Sequence, residues 1–593
     1  MDFPFPHVIL NHVGFLTHAR KRVVVSSGAY TRFAVQNMGI PAAESLGAHE
    51  DWQTLLEKQL LPVKTDMGDF LVGDFSELTR PGVYRVVIPG ADGRSFMFVI
   101  ADGAFHHLPG LWLDFIHGRR SGNFEDDLRG PSHLDDGVRA DTGQWHDASG
   151  GWYDAGDLRK WIGMSPIPAW GMLDYAQTAH RIRNHYAAEG ISSNDFLTEA
   201  AWEADFLLKV QDPDTGMIFE EIGGGGDGRK LPGMQWWYNN HSGCYADNSQ
   251  NYFSDNQPGN EDDRRIRTDY NPIAQYMNQY ILLRAAEALK PYQPEKAASY
   301  LAAALKNRAF TQSRQGTDPM HRWTAVRAWA LQCAIEWKKT GEAADTEILQ
   351  KLDLLLENRW PEQGWWWMDT EKAMPYRGIV HAAQPLVALC AWLDSFPDAE
   401  KAVEVKEILH STVAQYIQPM LATNPFGIMP FGLYLTPYTQ QDTYRPLQNG
   451  LWYRFFMPEH APERVNHGLA GHWTAWAHAL AALSQHLSLP GLADAAWDQV
   501  YWLLGNNPLG SSLVTGVGYR QAMPHSRFHG QIPGGFMVGP RGNAADEISI
   551  DLDARAEWNS TEYWNTPVAY ALLAFTHLLP NPVPAAGKLG YHP

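Results

Sequence analysis

The sequence predicts two architectures in one chain: a small β-sandwich over residues 1–103, then a large all-α ring of helix hairpins, an α/α toroid, over residues 104–593. Three observations predict it. Short Val-, Phe- and Tyr-rich runs bounded by turn residues fill the N-terminal part. Long segments with apolar residues at i, i+3, i+4 and i+7 fill the rest. The loops between those segments are long and rich in Gly and Trp, which a simple bundle would not need.

The strand signals come in order: "RKRVVVSS", "RFAVQN", "GVYRVVIPG" and "RSFMFVIADG", punctuated by Pro81-Gly82 and Asp92-Gly93. No comparable helical pattern interrupts them, which favours a sandwich. The helical signals follow: "FHHLPGLWLDFIHGRR", "SNDFLTEAAWEADFLLKVQ", "PIAQYMNQYILLRAAEAL", "TAVRAWALQCAIEWKKTG", "DTEILQKLDLLLENRW", "AAQPLVALCAWLDSF", "EVKEILHSTVAQYI", "GHWTAWAHALAALSQHL", "LADAAWDQVYWLLGNNP" and "PVAYALLAFTHLLP". Several stop at Gly, Asp-Pro or Asn-Pro. Their spacing is too irregular for a solenoid.

Composition narrows the function. With 47 Lys+Arg against 66 Asp+Glu the net charge is −19. That lacks the basic footprint of a partner for nucleic acid or an anionic membrane, and suits a neutral or cationic ligand. Three scattered cysteines, Cys244, Cys333 and Cys390, make neither a disulfide framework nor a CxxC metal site. The stretch "MDFPFPHVILNHVGF" shows no signal peptide, and no run of about 18 apolar residues marks a membrane span. These features fit a soluble, cytoplasmic protein, or a secreted one whose leader has been trimmed. Oligomeric state is open. The 24 tryptophans serve either a large core or flat platforms for sugar rings.

The chemistry concentrates in "DASGGWYDAGDLRKW", residues 147–161. It is too Gly-rich for a helix, since each interior Gly costs about 1 kcal/mol relative to Ala. Asp154 and Asp157, three apart on an irregular turn, can point into one cleft, where mutual repulsion assigns them different roles. Hydrolysis of a glycosidic bond needs one carboxylate for the water or the sugar and a separate carboxylic acid for the leaving oxygen. An Asp-rich turn held by Asx hydrogen bonds is the alternative reading of the same residues.

This stretch closely resembles the "D-x-S-G-G-W-x-D-A-G-D" signature of glycoside hydrolase family 9, the inverting cellulase family. "VILNHVGF" and "DFSELTRPGVYRVVI" resemble strands of the immunoglobulin-like domain found before many of its catalytic domains. "EADFLLKVQDPDTGMIF" and "YWLLGNNPLGSSLVTGVGYRQAMPHSR" resemble two further family segments, in the family's order. The resemblance implies an immunoglobulin-like β-sandwich followed by an (α/α)6 barrel. It implies Asp157 as the general base, Asp154 as the neighbour that also holds the water, and Asp147 as a structural residue. The acid position falls on Glu562 in "EWNSTEYWN", with Trp558 where the family has Tyr; the chain is shortened just after it, and Glu557 is the alternative. Tyr563 and Trp564 beside Glu562 would keep it desolvated and protonated. His525 and Arg527 match the segment that binds the sugar next to the cleaved bond. Trp236 and Trp366, from the clusters Trp236-Trp237-Tyr238 and Trp365-Trp366-Trp367, are the candidate stacking platforms. Trp202, Trp329 and Trp476 lie inside helical periods and are expected in the core.

One departure concerns metal. Many members with the N-terminal sandwich hold a structural zinc through two Cys and two His. This chain has Ser121 and Ser132 at the thiolate positions, although His133 remains. A neutral hydroxyl replaces a thiolate poorly, so no zinc and no required cofactor are expected, with hydrogen bonds from the two serines holding those loops. Calcium is open: "SDNQPGNEDDRR" offers oxygens without EF-hand spacing and reads as a solvated acidic loop. The resemblance implies cleavage of β-1,4-bonds in cellulose, β-glucan or cello-oligosaccharides. An exo-β-D-glucosaminidase on chitosan oligosaccharides is the alternative, although "DAGD" keeps the cellulase spacing. A non-catalytic glycan-binding protein is the reading from another class.

Overall fold

The computed structural model describes residues 7–26, 28–38, 52–122, 133–156, 159–179, 193–223, 256–259, 263–447, 449–460, 466–521, 533–550 and 559–579. Two sheets build the N-terminal region. One has the order Val8–Ile9, Arg22–Ser26, Gly68–Asp74, Leu61–Thr65, all antiparallel. The other has the order Gly14–Phe15, Phe98–Ile100, Gly82–Val87, Arg32–Met38, Trp52–Gln59, with the first pair parallel. Val23, Val24, Val25, Phe33, Ala34, Val35, Tyr84, Val86 and Phe98 are buried, those of the last two strands in alternation and those of Arg22–Ser26 and Arg32–Met38 along three successive residues. Phe15 meets Phe75 and Phe98 edge-on, each at 5.6 Å between ring centroids.

All four strands read from the sequence are present. Three more, Trp52–Gln59, Leu61–Thr65 and Gly68–Asp74, carry no clean signal, because the first two are edge strands largely exposed on both faces. From Leu108 onward the described residues are mainly helical, with helices packed in pairs: Ile167–Ala179 on Ser193–Lys209, Pro272–Leu289 on Pro294–Arg314, Ala470–His486 on Leu492–Leu503. Ile167–Ala179 and Pro294–Arg314 were not evident in the sequence. The first is buried on nearly every side, and the second is Ala-rich with a narrow apolar stripe. The helix beginning at Pro272 has Pro at its start and Asn271 as its N-cap, which accepts from Ile273 N at 3.0 Å and Ala274 N at 3.3 Å. The helix Glu400–Thr412 runs on through a π turn, Val413–Ile417, to Gln418–Leu421. No helix among the described residues is long and apolar enough to cross a membrane.

The chain divides into two compact units: residues 1–112, 323–325 and 352–567, and residues 113–322, 326–351 and 568–593. The first unit does not end at the β-to-helix transition, because the sheets pack against later helices. His12 N donates to Leu504 O at 2.8 Å. The Phe15 ring lies 5.2 Å from Tyr501 and Phe105 lies 4.6 Å from Trp497. The polar lock is Asp498, buried on Leu492–Leu503, which takes Arg20 at 2.5 Å and Arg22 at 2.8 Å. Both arginines are partly solvated, which discounts the pair. Asp498→Ala nevertheless leaves two cations facing a buried gap, and we expect it to lower stability by about 1–3 kcal/mol. A thermal shift assay that shows no drop in Tm would contradict this.

Candidate active site

The loop 147–156 belongs to the second unit and has no regular structure of its own. Two glycines at positive φ, Gly150 at 93° and Gly151 at 69°, set its path. At its start Asp147 Oδ1 accepts from Ser149 N at 3.0 Å and Ser149 Oγ at 2.6 Å, an Asx turn. Lys209 braces the same turn, 3.0 Å from Asp147 and 2.8 Å from Ser149 Oγ. Asp147 thus orders the loop.

One face of the helix Ser193–Lys209 holds everything that follows. Glu199, Trp202, Glu203, Phe206 and Lys209 recur at helical spacing. Trp202 Nε1 donates to Gly151 O at 3.1 Å, and Ser121 N donates to the same carbonyl at 2.9 Å. The Phe206 ring lies where a Cβ on Gly151 would stand, 2.5 Å from the ring. Glu199 accepts the Trp152 indole N–H at 2.8 Å, Arg120 through two bonds of 2.9 and 2.7 Å, and faces His117 at 2.9 Å. Burial works to raise the Glu199 pKa, but His117 and Arg120 hold it below the usual value. Glu203 Oε2 accepts the Trp152 peptide N–H at 2.9 Å. Burial pushes the Glu203 carboxyl up to about 8, against that N–H and Lys160.

The far side of the loop is pinned to a four-stranded sheet in the order Val138–Arg139, Arg265–Arg267, Glu221–Gly223, Lys160–Trp161. Asp154 N donates to Arg159 O at 2.9 Å, and Trp161 N to Asp154 Oδ1 at 3.3 Å. Arg119 donates to Ala155 O. Arg159 pairs with Glu221, which also takes Arg267 at 3.2 Å. Lys160 Nζ lies 2.5 Å from Asp136 and donates to Ala148 O at 3.1 Å; Arg264 grips Asp136 through two bonds of 2.6 Å. Burial opposes it, yet Arg264 and Lys160 hold the Asp136 carboxyl far below the usual range. Burial brings Lys160 down to about 8, against the pull of Asp136. Beside this sheet, burial pushes Glu220 up to about 7, and Asn271 donates to it at 3.1 Å. Asp154 is 6% exposed. Asp157 lies outside the described residues.

Glu562 belongs to the other unit. Its carbonyl accepts from Val538 N at 2.9 Å, with Gly539 N to Ser560 O at 2.8 Å and Trp564 N to Phe536 O at 2.9 Å on either side. This short ladder leaves Glu562 6% exposed. Glu557, Trp236, His525, Arg527 and Ser132 lie outside the described residues.

Trp366 requires a correction. The expectation placed it as a stacking platform because its cluster sits outside any helical period. Trp365 and Trp366 instead form a strand paired with Arg359–Trp360 through a turn closed by Gly364 at φ 59°. Trp366 is 0% exposed, and a ring with no accessible face cannot stack on a sugar. Trp365 is spent in the core, 4.2 Å from the Tyr416 ring and 5.4 Å from Trp476. Trp367 is half-buried, stacked on Trp360 at 4.0 Å. Trp329 and Trp476 are buried as expected, while Trp202 is half-buried and serves the loop.

Ser121 also behaves differently from expectation. Ser121 holds the loop through its peptide N–H, while its buried hydroxyl finds no partner among the described residues. His133, at φ 63°, bonds Tyr153 Oη through Nδ1 at 2.9 Å. Among the described residues no cluster of three or more His, Cys, Asp or Glu is arranged to hold a metal. Glu199 and Glu203 were missed in the sequence. Their signal was an acid pair at i and i+4 on the apolar face of "FLTEAAWEADFLL".

A strand-braced, Gly-turned loop that carries a buried carboxylate beside a helical scaffold is an arrangement a carboxylate glycosidase can use. Residues 110–572 match Glycosyl hydrolase family 9, and the chain belongs to that family. It is 22% identical over 322 residues to Endoglucanase D of Acetivibrio thermocellus, a stretch covering 51% of this chain and 45% of that relative. It is 26% identical over 243 residues to the xyloglucan-specific endo-beta-1,4-glucanase BoGH9A of Bacteroides ovatus, 37% of this chain and 39% of that one. The chain therefore spans less than half the length of these relatives. Among solved structures, a single mutant of a thermostable endoglucanase from Alicyclobacillus acidocaldarius superposes with a TM-score of 0.66 at 19% identity, covering 97% of this chain and 99% of that one. A family 9 endoglucanase engineered as a zinc-binding triple mutant superposes at 0.65 with 18% identity, covering 96% and 100%. The likeness shows the fold, a β-sandwich followed by a helical barrel, as the sequence predicts.

Gly151 makes the clamp testable. Gly151→Ala adds a methyl at an unfavourable φ and drives it into the Phe206 ring. We expect a loss of about 1–3 kcal/mol in stability. Equal Tm values for variant and wild type would mean the loop is not held as described.

Proposed function

We propose that the protein is an inverting glycoside hydrolase that cleaves β-1,4-bonds of cellulose, β-glucan or cello-oligosaccharides. The observation that carries this is the Asp154 loop, buried and fixed on both sides within a family 9 fold. Asp157 acts as the base: it takes a proton from water as that water attacks the anomeric carbon. Asp154 helps orient the water. Glu562, as the acid, gives its proton to the departing glycosidic oxygen, and solvent exchange resets both groups. His525, Arg527 and Trp236 bind the sugars. The names of the relatives support a glucan: endoglucanase, cellodextrinase, xyloglucan-specific glucanase; and one solved structure with this fold holds a cellobiose-like isofagomine. They favour glucan over the amino-sugar polymer.

The test is proton NMR of the first product from a β-linked oligosaccharide. Water between base and sugar demands an α-anomer, whereas a β-anomer would make one carboxylate a nucleophile and end this reading. Asp157→Ala should lose about 10²–10⁴-fold in rate, and retention of a tenth of the activity would remove it from the role.

The reading needs no metal. With hydroxyls at positions 121 and 132 in place of thiolates, metal analysis of the purified protein should find no stoichiometric zinc, and a chelator should leave activity unchanged. One bound zinc per chain would contradict this.

A further inference from the structure

Two carboxyls one helical turn apart, Glu199 and Glu203, converge on a single residue of the loop, Trp152. Glu199 is fully engaged by Arg120, His117 and the indole N–H. Glu203 is not. Its side chain is wholly buried, its Oε2 accepts the Trp152 peptide N–H at 2.9 Å, and its Oε1 has no hydrogen-bond partner among the described residues.

We propose that Glu203 is a positioning residue for the hydrolytic carboxylates: its bond to the Trp152 peptide N–H fixes the backbone from which Asp154 hangs two residues later. This rests on the reading of Asp154 and Asp157 given above. Glu203 does this as a neutral acid. The cation nearest to hand, Lys160, is committed to Asp136 at 2.5 Å, which Arg264 also grips. Arg120 and His117 are committed to Glu199, whose own negative charge disfavours a second one beside it. An unpaired carboxylate there would carry the full cost of a buried ion, and the raised Glu203 pKa agrees. The neutral acid accepts the peptide N–H through Oε2 and carries its proton on Oε1, and an unpartnered buried O–H costs far less than an unpaired buried charge. That N–H is also the group a Gly-rich turn cannot satisfy within itself.

The test compares Glu203→Gln, Glu203→Leu and Asp154→Ala, with kcat and KM on a soluble β-glucan and hydrogen exchange of the peptide containing Trp152. Gln has the shape of the neutral acid and keeps an acceptor for the N–H, so it should stay within about threefold of wild type. Leu leaves the N–H unpaired; it should lower kcat about 10- to 100-fold with KM little changed, and speed exchange around Trp152. If Gln falls as far as Leu, the charge matters and the proposal is overturned. A Leu variant with wild-type kcat and protection overturns it too. Should the Leu variant not fold, Glu203→Asp, which withdraws the acceptor by one methylene, is read by the same exchange measurement. Asp154→Ala separates the two levels: if it abolishes activity, an inert Glu203 counts against this inference alone; if it stays active, the hydrolytic reading falls.

Discussion

A Gly-rich turn that must hold carboxylates in place cannot hold itself. Residues 147–156 make no helix and only isolated bridges, so their peptide groups depend on partners elsewhere. The face of the helix Ser193–Lys209 supplies several restraints: a lysine for the Asx turn, an indole N–H for the Gly151 carbonyl, two carboxyls for the peptide and indole of Trp152, and a phenyl ring packed against Gly151. Arg119, Ser121 and Asp136 supply others, and so do Arg159 and Lys160 at the edge of the sheet. Rigid elements thus grip an irregular loop.

The buried carboxyls around this loop show how one residue type takes different charge states within a few ångströms. Asp136, Glu199 and Glu203 are all removed from water. Asp136 has two cations, Lys160 and Arg264, and stays ionised. Glu199 has Arg120 and His117 and stays ionised. Glu203 meets one peptide N–H, and burial wins. The balance between desolvation and committed partners decides each case, and distance along the helix decides which partners are in reach.

Much of this was legible in the sequence, and the exceptions have physical causes. The loop itself stood out because three Asp among Gly and aromatics fit no regular element. Four strands were readable because their Val-, Phe- and Tyr-rich runs are bounded by turn residues, whereas Trp52–Gln59 at a sheet edge has no buried face to mark it. Trp366 misled because "GWWWMD" looks like a loop, and nothing local reveals that a two-residue strand turns two indoles into the core. Sequence position shows what a residue is, but the core position of this pair depends on Trp365 packing against Tyr416 and Trp476, many residues away, with Trp366 edge-on to Trp365. Glu199 and Glu203 were overlooked for the opposite reason: acids on a helix read by default as its solvated face.

The zinc positions extend the same logic. A metal site would tie its loops through thiolates and imidazoles, with the binding energy concentrated in one ion. Two of the corresponding residues, Ser121 and His133, are described. Ser121 lends its peptide N–H to Gly151 O, and His133 spends Nδ1 on the Tyr153 hydroxyl, so each touches the loop immediately before Asp154. Restraint is spread over separate hydrogen bonds, each worth about 1 kcal/mol, and over the clamp of the neighbouring helix. A loop held this way requires the helix face to keep its spacing. Glu199, Trp202, Glu203, Phe206 and Lys209 reach the loop together only while the helix Ser193–Lys209 stays intact along its length.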